Sequence, residues 1–517
     1  MNPVAGTVAG TLCELYYRSC KWRGRLDFFV DPAERVNGHS AWAGSSRFAE
    51  ALASLGVRKG EVVAFLCKSS ARHAIAWFGT TLAGAVACSM HVRETPERLG
   101  EALAWLDAKV LVFDADLEEP ARAAIAASGR AFATICTADG MASPAGKGLH
   151  WNTLPAGALP PCPGPSDLAA VILSSGSTGR PKGVMHTQRS LTENAKAGQI
   201  LYAQVTPQDA ALIMLQPSFA AWVNVVLPYV GGKGKIVFGG AFTPKGFLEL
   251  MERERITMAP AVPTMWRMVF GEDVSRYDLS AMKNVSISGE PPALRDLEQI
   301  RERVCRNISS FYSSSEAGTG GAVLATTEDT LGKGKPATSG KPVVGADLKI
   351  VDPDGGFDDE LPVGSIGEIV VSGPSLAVGY WKDEALTRAK FRDGWWRSGD
   401  MGRIDEDGDL CIEGRVDNVI NTGGVKVHGE DVERAILSHP EVTQVGVVGV
   451  EDERWGHRIE AHVVAKSLTL NAAELDAWCR NEAGLAGFKV PKAFHFVDTL
   501  PTGPTGKLYR RALKDKK

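Results

Sequence analysis

Residues Ser174-Ser175-Gly176-Ser177-Thr178-Gly179-Arg180-Pro181-Lys182-Gly183-Val184 follow directly on the apolar run Ala169-Ala170-Val171-Ile172-Leu173. Small residues let backbone N–H groups close in on an anion, the hydroxyls add donors, and Lys182 brings a cation. Such a segment is chemically suited to a polyphosphate. It is not a Walker loop, which needs Gly, four residues, then Gly-Lys-Ser/Thr. Gly503-Pro504-Thr505-Gly506-Lys507 does not meet that spacing either. The plain alternative is a flexible Gly/Ser linker. Pro181 ahead of Lys182-Gly183 is not linker chemistry, and the preceding apolar run places the segment at a strand end.

Four more segments carry usable chemistry. Phe311-Tyr312-Ser313-Ser314-Ser315-Glu316 offers an aromatic face with a hydroxyl and a carboxylate beyond it, and Trp395-Trp396-Arg397-Ser398-Gly399-Asp400 ends in a carboxylate. Gly414-Arg415-Val416-Asp417-Asn418 carries a charge pair, and Pro504-Thr505-Gly506-Lys507 presents a lysine near the C-terminal end. There is no Gly-x-Ser-x-Gly elbow for a serine hydrolase and no His-Glu-x-x-His zinc signature.

The elements that must position these groups read as α/β layers. Strand-like runs such as Val62 to Leu66 and Val110 to Phe113 alternate with helical stretches such as Ala71 to Ala83 and Glu97 to Leu106. Beyond the first segment the pattern returns, with Lys235 to Phe238, Lys245 to Glu254 and Val285 to Ser288. After about residue 340 the texture turns to short, Gly-punctuated strands, among them Leu348 to Val351 and Glu368 to Val371. The last hundred or so residues carry their own strands, Val445 to Val448 and Ile459 to Val464, and helices near Glu430 to Leu437 and Ala472 to Glu482. The Pro-rich stretch Pro160 to Pro165 reads as a surface connector.

Composition narrows the function classes. The 517 residues suffice for a sizeable core, and the formal net charge of -4 provides no global basic field, so no nucleic-acid partner is expected. Nine cysteines scattered without a Cys-x-x-Cys pair or His-rich neighbour argue against a disulfide framework or a structural zinc site. The start, Met1-Asn2-Pro3-Val4-Ala5-Gly6, lacks a basic segment followed by an apolar core, so the expectation is a cytoplasmic protein. Two charge-free stretches, His73 to Val92 and Ala210 to Gly232, are interrupted by polar residues and read as buried core rather than membrane spans.

The five segments, in this order from about residue 170 to the C-terminus, resemble the acyl-adenylate-forming superfamily of acyl-CoA synthetases, amino-acid adenylation domains and beetle luciferases. The resemblance implies a large N-terminal AMP-binding domain of layered α/β sheets over residues 1–416, β-rich from about 340. It also implies a small mobile α+β domain over 417–517, hinged at Asp417. The implied substrates are ATP, a carboxylic acid and CoA, with Mg²⁺ as cofactor; a homodimer is compatible with it.

Carried over residue by residue, Ser174, Ser175, Gly176, Ser177, Thr178, Gly179 and Lys182 would hold the phosphates. Tyr312 would stack on adenine, with Gly289-Glu290-Pro291 lining its other side through backbone groups. Glu316 would hold Mg²⁺, a hard cation that takes oxygen ligands, and Ser315 stands where the family usually has threonine, keeping the hydroxyl. Asp400 would accept from both ribose hydroxyls and Arg415 would reach ribose or phosphate. Lys507 would be catalytic, because an ammonium beside the oxygens that share developing charge favours the transition state. Gly423 and Gly424, in the loop from Thr422 to Lys426, would face the pantetheine arm of CoA.

The acid itself is addressed by Gln216-Pro217-Ser218-Phe219-Ala220-Ala221-Trp222. Amino-acid adenylation domains place an Asp after that Phe, and many acyl-CoA ligases a His; this chain has Ala220. A buried α-ammonium without a carboxylate partner is costly, which disfavours an amino acid. Ala220, Trp222, Val223 and Ser288 are the candidates for an acyl pocket of apolar character. The expected activity is therefore that of an acyl-CoA synthetase using an apolar acid. The alternatives are an acyl-AMP ligase loading a carrier protein and a catalytically silent nucleotide-binding protein.

Overall fold

The computed structural model describes residues 9–140, 148–174, 182–289, 292–336, 338–467, 469–502 and 508–514. The chain divides into two compact units, one of residues 1–348 with 371–396, the other of residues 349–370 with 397–517.

The first unit contains a sheet in the order Gly379–Tyr380, Lys182–Thr187, Leu168–Ser174, Val86–Ser89, Val62–Leu66, Val110–Phe113, Ala133–Cys136, Gly148–His150. From Leu168–Ser174 to Gly148–His150 neighbouring strands run parallel. Strands covered on both faces are apolar throughout rather than alternating, and Val62–Leu66 is buried at every position. A second run of strands orders Ile308–Tyr312, Asn284–Ile287, Met258–Pro260, Ala210–Ile213, Lys235–Phe238 and Asp27–Val30, all parallel. Parallel neighbours leave the loops that follow Ala210–Ile213, Asn284–Ile287 and Ile308–Tyr312 on one sheet edge, where α/β folds receive ligands.

The charge-free stretches resolve into ordinary core. His73 to Val92 becomes part of helix Ala71–Leu82 and strand Val86–Ser89, the helix capped by the Ser70 side chain accepting from the His73 N–H. Ala210 to Gly232 becomes a strand and helix Ala220–Gly232. Among the described residues no helix is long and apolar enough to cross a membrane. Pro228, inside the second helix, cannot donate to the Asn224 carbonyl four residues back. The Tyr202 hydroxyl supplies that bond at 3.2 Å. Gly198 on helix Gln188–Leu201 admits the proline ring, since a Cβ there would sit 2.1 Å from Pro228 Cγ.

In the second unit the strand Leu410–Arg415 pairs antiparallel with residues 400–404, Asp400 lying opposite Arg415. A further sheet orders Val425–His428, Val419–Thr422, Gly456–Ala465 and Val442–Asp452, with Ala493–Phe496 parallel to Gly456–Ala465. Helices Gly429–Leu437 and Ala472–Asn481 supply Val432, Ile436 and Leu475 to the core that Ile459, Ala461 and Val463 present from one sheet face.

Candidate active site

The strands Leu168–Ser174 and Lys182–Thr187 pair antiparallel up to Ser174 opposite Lys182. The candidate phosphate segment is therefore the connection of a hairpin, not a strand-to-helix turn. Ser175, Gly176, Ser177, Thr178 and Gly179 lie outside the described residues. The Lys182 ammonium is 5.9 Å from the centroid of the Tyr380 ring, within reach of a cation–π attraction. Gly183 lets Trp105, Trp381 and Val171 close in on the strand, because a Cβ there would fall 2.9 Å from atoms of each.

Tyr380 also joins Lys182 to Glu316. Its hydroxyl donates to Glu316 Oε1 at 3.0 Å and accepts from Trp396 Nε1 at 3.1 Å. Glu316 is buried at 9% exposure, on the loop that follows Ile308–Tyr312. That loop is tied at several points. The Ser375 hydroxyl donates to the Ala317 carbonyl at 2.6 Å and accepts from the Gly320 N–H at 2.8 Å. The Ala377 N–H reaches the Glu316 carbonyl at 2.8 Å.

His186, on the hairpin strand beyond Lys182, donates from Nε2 to the Ser315 carbonyl at 2.8 Å. Burial pushes the His186 imidazolium down to about 4, against the opposing pull of that carbonyl. The ring is thus neutral at pH 7 with its proton on Nε2, since a carbonyl can only accept. Tyr380, Ser375 and His186 carry no role in the sequence reading. Tyr380 lies 64 residues from Glu316 and no motif links the two.

At the sheet edge Ile287 pairs with Ser310. Tyr312 closes its strand two residues beyond Ser310, and Gly289 follows two residues after Ile287. Gly289 takes φ +94°, a conformation other residues rarely adopt. Glu290 and Pro291 lie outside the described residues. Of the acyl-pocket candidates, Ser288 and Ala220 are half-buried, while Trp222 and Val223 are fully buried. Trp222 stacks on Phe238 and meets His73 and Trp77 edge-on, and its indole N–H donates to Ser69 Oγ at 2.9 Å. These contacts fix its rotamer within the hydrophobic core.

In the second unit Arg415 Nη1 donates to Asp400 Oδ1 at 2.7 Å across the hairpin. Gly399, at φ +75°, makes room for the guanidinium, which lies 3.2 Å from where a Cβ would stand. The Asp400 N–H donates to Ser398 Oγ, and the Gly399 N–H to Glu368 Oε1, both at 2.9 Å. Asp417 sits exposed in a single 3-10 turn, Val416–Asn418, its carboxylate 3.7 Å from Arg415. Gly423 and Gly424 form the two-residue connection between Thr422 and Val425, with φ +60° and +81°. Both values suit the type I′ hairpin turn, which gives these glycines a conformational reason of their own. Lys507 lies outside the described residues.

The model of the AMP-binding enzyme family matches residues 18–381, well over half of the chain. The chain belongs to the AMP-binding enzyme family. The family's C-terminal domain matches residues 431–507. Among curated relatives, a feruloyl-CoA synthase of Amycolatopsis sp is 33% identical over 472 residues, covering 90% of each chain. A 2-succinylbenzoate–CoA ligase of Bacillus licheniformis is 32% identical over 347 residues, covering 67% of this chain and 70% of the relative. Among solved structures, the o-succinylbenzoate CoA synthetase of Bacillus subtilis in complex with its acyl-adenylate intermediate superposes with a TM-score of 0.82 at 25% identity, covering 96% and 98% of the two chains. The chain is an adenylate-forming, ATP-dependent acid–thiol ligase of the acyl-CoA ligase type.

Proposed function

We propose that this ligase acts on an apolar carboxylic acid and passes the acyl group to CoA. The acid's carboxylate oxygen attacks the α-phosphorus of ATP and pyrophosphate leaves. The CoA sulfur then attacks the acyl carbonyl and AMP leaves. Activation makes a poor electrophile into a mixed anhydride with a good leaving group.

The observation that carries this reading is the Lys182–Tyr380–Glu316 array, with Tyr380 and Glu316 buried, on a loop and hairpin joined by His186. It supports a cation and a carboxylate acting together at the proposed phosphate segment. The all-oxygen donors at Glu316 fit a hard divalent cation, and Mg²⁺ held there would neutralise triphosphate charge. Tyr312 and Gly289 would take the adenine, Asp400 and Arg415 the ribose, and Lys507 the oxygens shared between acid and α-phosphate. Asp417 is the proposed hinge between the adenylating and thiol-transfer poses, and the Gly423-Gly424 turn the proposed contact for CoA. Ala220 and Ser288, with Trp222 and Val223 behind them, support an acid without an α-ammonium. The names of two relatives, for feruloyl and succinylbenzoate, put aryl acids first in a substrate panel. Nine cysteines without a Cys-x-x-Cys pair support the reducing cytoplasm as the proposed location.

Acid-dependent pyrophosphate release over aryl, aliphatic and amino acids tests the reading, and failure with every aryl and aliphatic acid counts against it. Lys507→Ala is expected to leave ATP affinity nearly unchanged while abolishing acyl-AMP formation; unimpaired turnover removes Lys507 from catalysis. Comparison of CoA with a pantetheinylated carrier protein settles the acceptor.

A further inference from the structure

Strand Gly456–Ala465 has two faces. Ile459, Ala461 and Val463 point into the domain core, so Arg458, Glu460 and His462 share the other face. His462 is paired with His495 on the neighbouring parallel strand. The two imidazoles stack at 4.7 Å and 26°, and His495 Nε2 lies 2.9 Å from Glu460 Oε2. One ligand atom from each of Glu460, His462 and His495 lies within 4.8 Å of the others. Glu460 and His462 are buried, at 7% and 5% exposure, while the His495 side chain is 45% exposed.

We propose that Glu460, His462 and His495 form a binding site for a divalent transition metal such as Zn²⁺. Two imidazoles and one carboxylate are a three-ligand set that leaves a position for water, and their softness selects Zn²⁺, Co²⁺, Ni²⁺ or Cu²⁺ over Mg²⁺ and Ca²⁺. The strand pleat supplies the geometry: Glu460 and His462 are two apart on one face and His495 stands beside His462 in register. Arg458 Nε donates to Glu460 Oε1 at 2.7 Å, which holds the carboxylate from outside and leaves its Oε2 directed at His495. The exposed edge of His495 provides a route in.

The acidic turn Asp405, Asp407 and Asp409 differs in kind, because it offers carboxylate oxygens only and no imidazole. The position of the His/Glu set also matters to the tail. Gly446 pairs with His462, and a Cβ on Gly446 would touch Leu513 at 2.8 Å and Leu508 at 2.9 Å. The segment following Lys507 thus packs on the same face, next to the metal ligands, and a bound ion braces the surface it rests on.

The test is Co²⁺ titration of the full chain in excess Mg²⁺, followed by displacement with Zn²⁺. One equivalent of Co²⁺ is expected to give ligand-field absorption that Zn²⁺ abolishes, with a rise in melting temperature. His495→Gln, at an exposed position outside the nucleotide machinery, is expected to weaken binding at least about 100-fold, more than the loss of an outer-shell partner. Arg458→Gln is expected to weaken it about 10-fold. Acid-dependent pyrophosphate release without added transition metal should be unchanged in both variants, which separates this site from the proposed activity. Absence of saturable Co²⁺ or Zn²⁺ binding overturns the proposal, as does binding that His495→Gln leaves unchanged.

Discussion

The carboxylates of Glu316 and Asp400 are held in contrasting ways. Glu316 is buried and its loop is fastened by His186, Ser375, Ala377 and Tyr380, which come from distant parts of the first unit. Asp400 keeps 17% side-chain exposure and its partner Arg415 44%, and they meet in an ion pair across a single hairpin step, with Ser398 and Asp417 close by in sequence. A buried charge is tolerated only with its hydrogen bonds made, so its surroundings must be specified by many residues. A half-exposed pair stays partly solvated and adds less stability, so strand register goes far toward placing it. Chemistry and folding stability should therefore be coupled around Glu316 and separable around Asp400.

The largest expected effect is on chemistry. Glu316→Gln keeps an acceptor for the Tyr380 hydroxyl but removes the charge, and acid-dependent pyrophosphate release should fall about 10²–10³-fold. A rate within a factor of three of the parent breaks the assignment of Glu316. Next is Tyr380→Phe, which strips a donor from Glu316 Oε1 and an acceptor from Trp396 Nε1. Chemical denaturation should show a loss of about 1–3 kcal/mol.

The third effect is pH dependence. Burial holds His186 at about 4 and His73 at about 3, both below the unfolded value of about 6.5. Between those limits the unfolded chain binds more protons than the folded one. Stability is then full above about pH 6.5 and falls as the pH drops, approaching about 1.4 kcal/mol per pH unit for each histidine. His186→Gln, which can still donate to the Ser315 carbonyl, should remove its share of that slope between pH 6.5 and 5. An unaltered slope would show that His186 is not buried as a neutral donor.

The smallest stability effect belongs to the half-exposed pair. Asp400→Asn should change unfolding free energy by less than about 1 kcal/mol, while raising KM for ATP on the order of tenfold, the worth of one charge-assisted hydrogen bond. A large stability loss with an unchanged KM would reverse the contrast drawn between the two clusters.

Much of this was legible from residue order. The apolar run before Ser174 marks a strand end, and the structure places it in a hairpin closed by Ser174 and Lys182. The helical stretches near Glu97, Lys245, Glu430 and Ala472 appear as Pro96–Leu106, Pro244–Arg253, Gly429–Leu437 and Ala472–Asn481, differing by a residue or so at their ends where caps decide. The supports of Glu316 were not legible. Tyr380, Ser375 and His186 act through side chains whose partners are remote in sequence, and no local period or spacing reports such contacts. Glu460 and His462, two apart on one strand, were a readable pattern, but His495 joins them only through strand pairing.

Sequence by itself determined the kinds of groups available and the local geometry that carries them: small residues and a lysine at a strand end, glycines for the left-handed turn at 423 and 424, alternating or continuous apolar runs for each strand. These follow from side-chain size, charge and backbone freedom, which act over a few residues. Tertiary structure alone decided which groups meet. Tyr380 bridges Lys182 and Glu316, and His186 carries its proton on Nε2, because strand order and burial set distances and dielectric, and both depend on the whole packed chain.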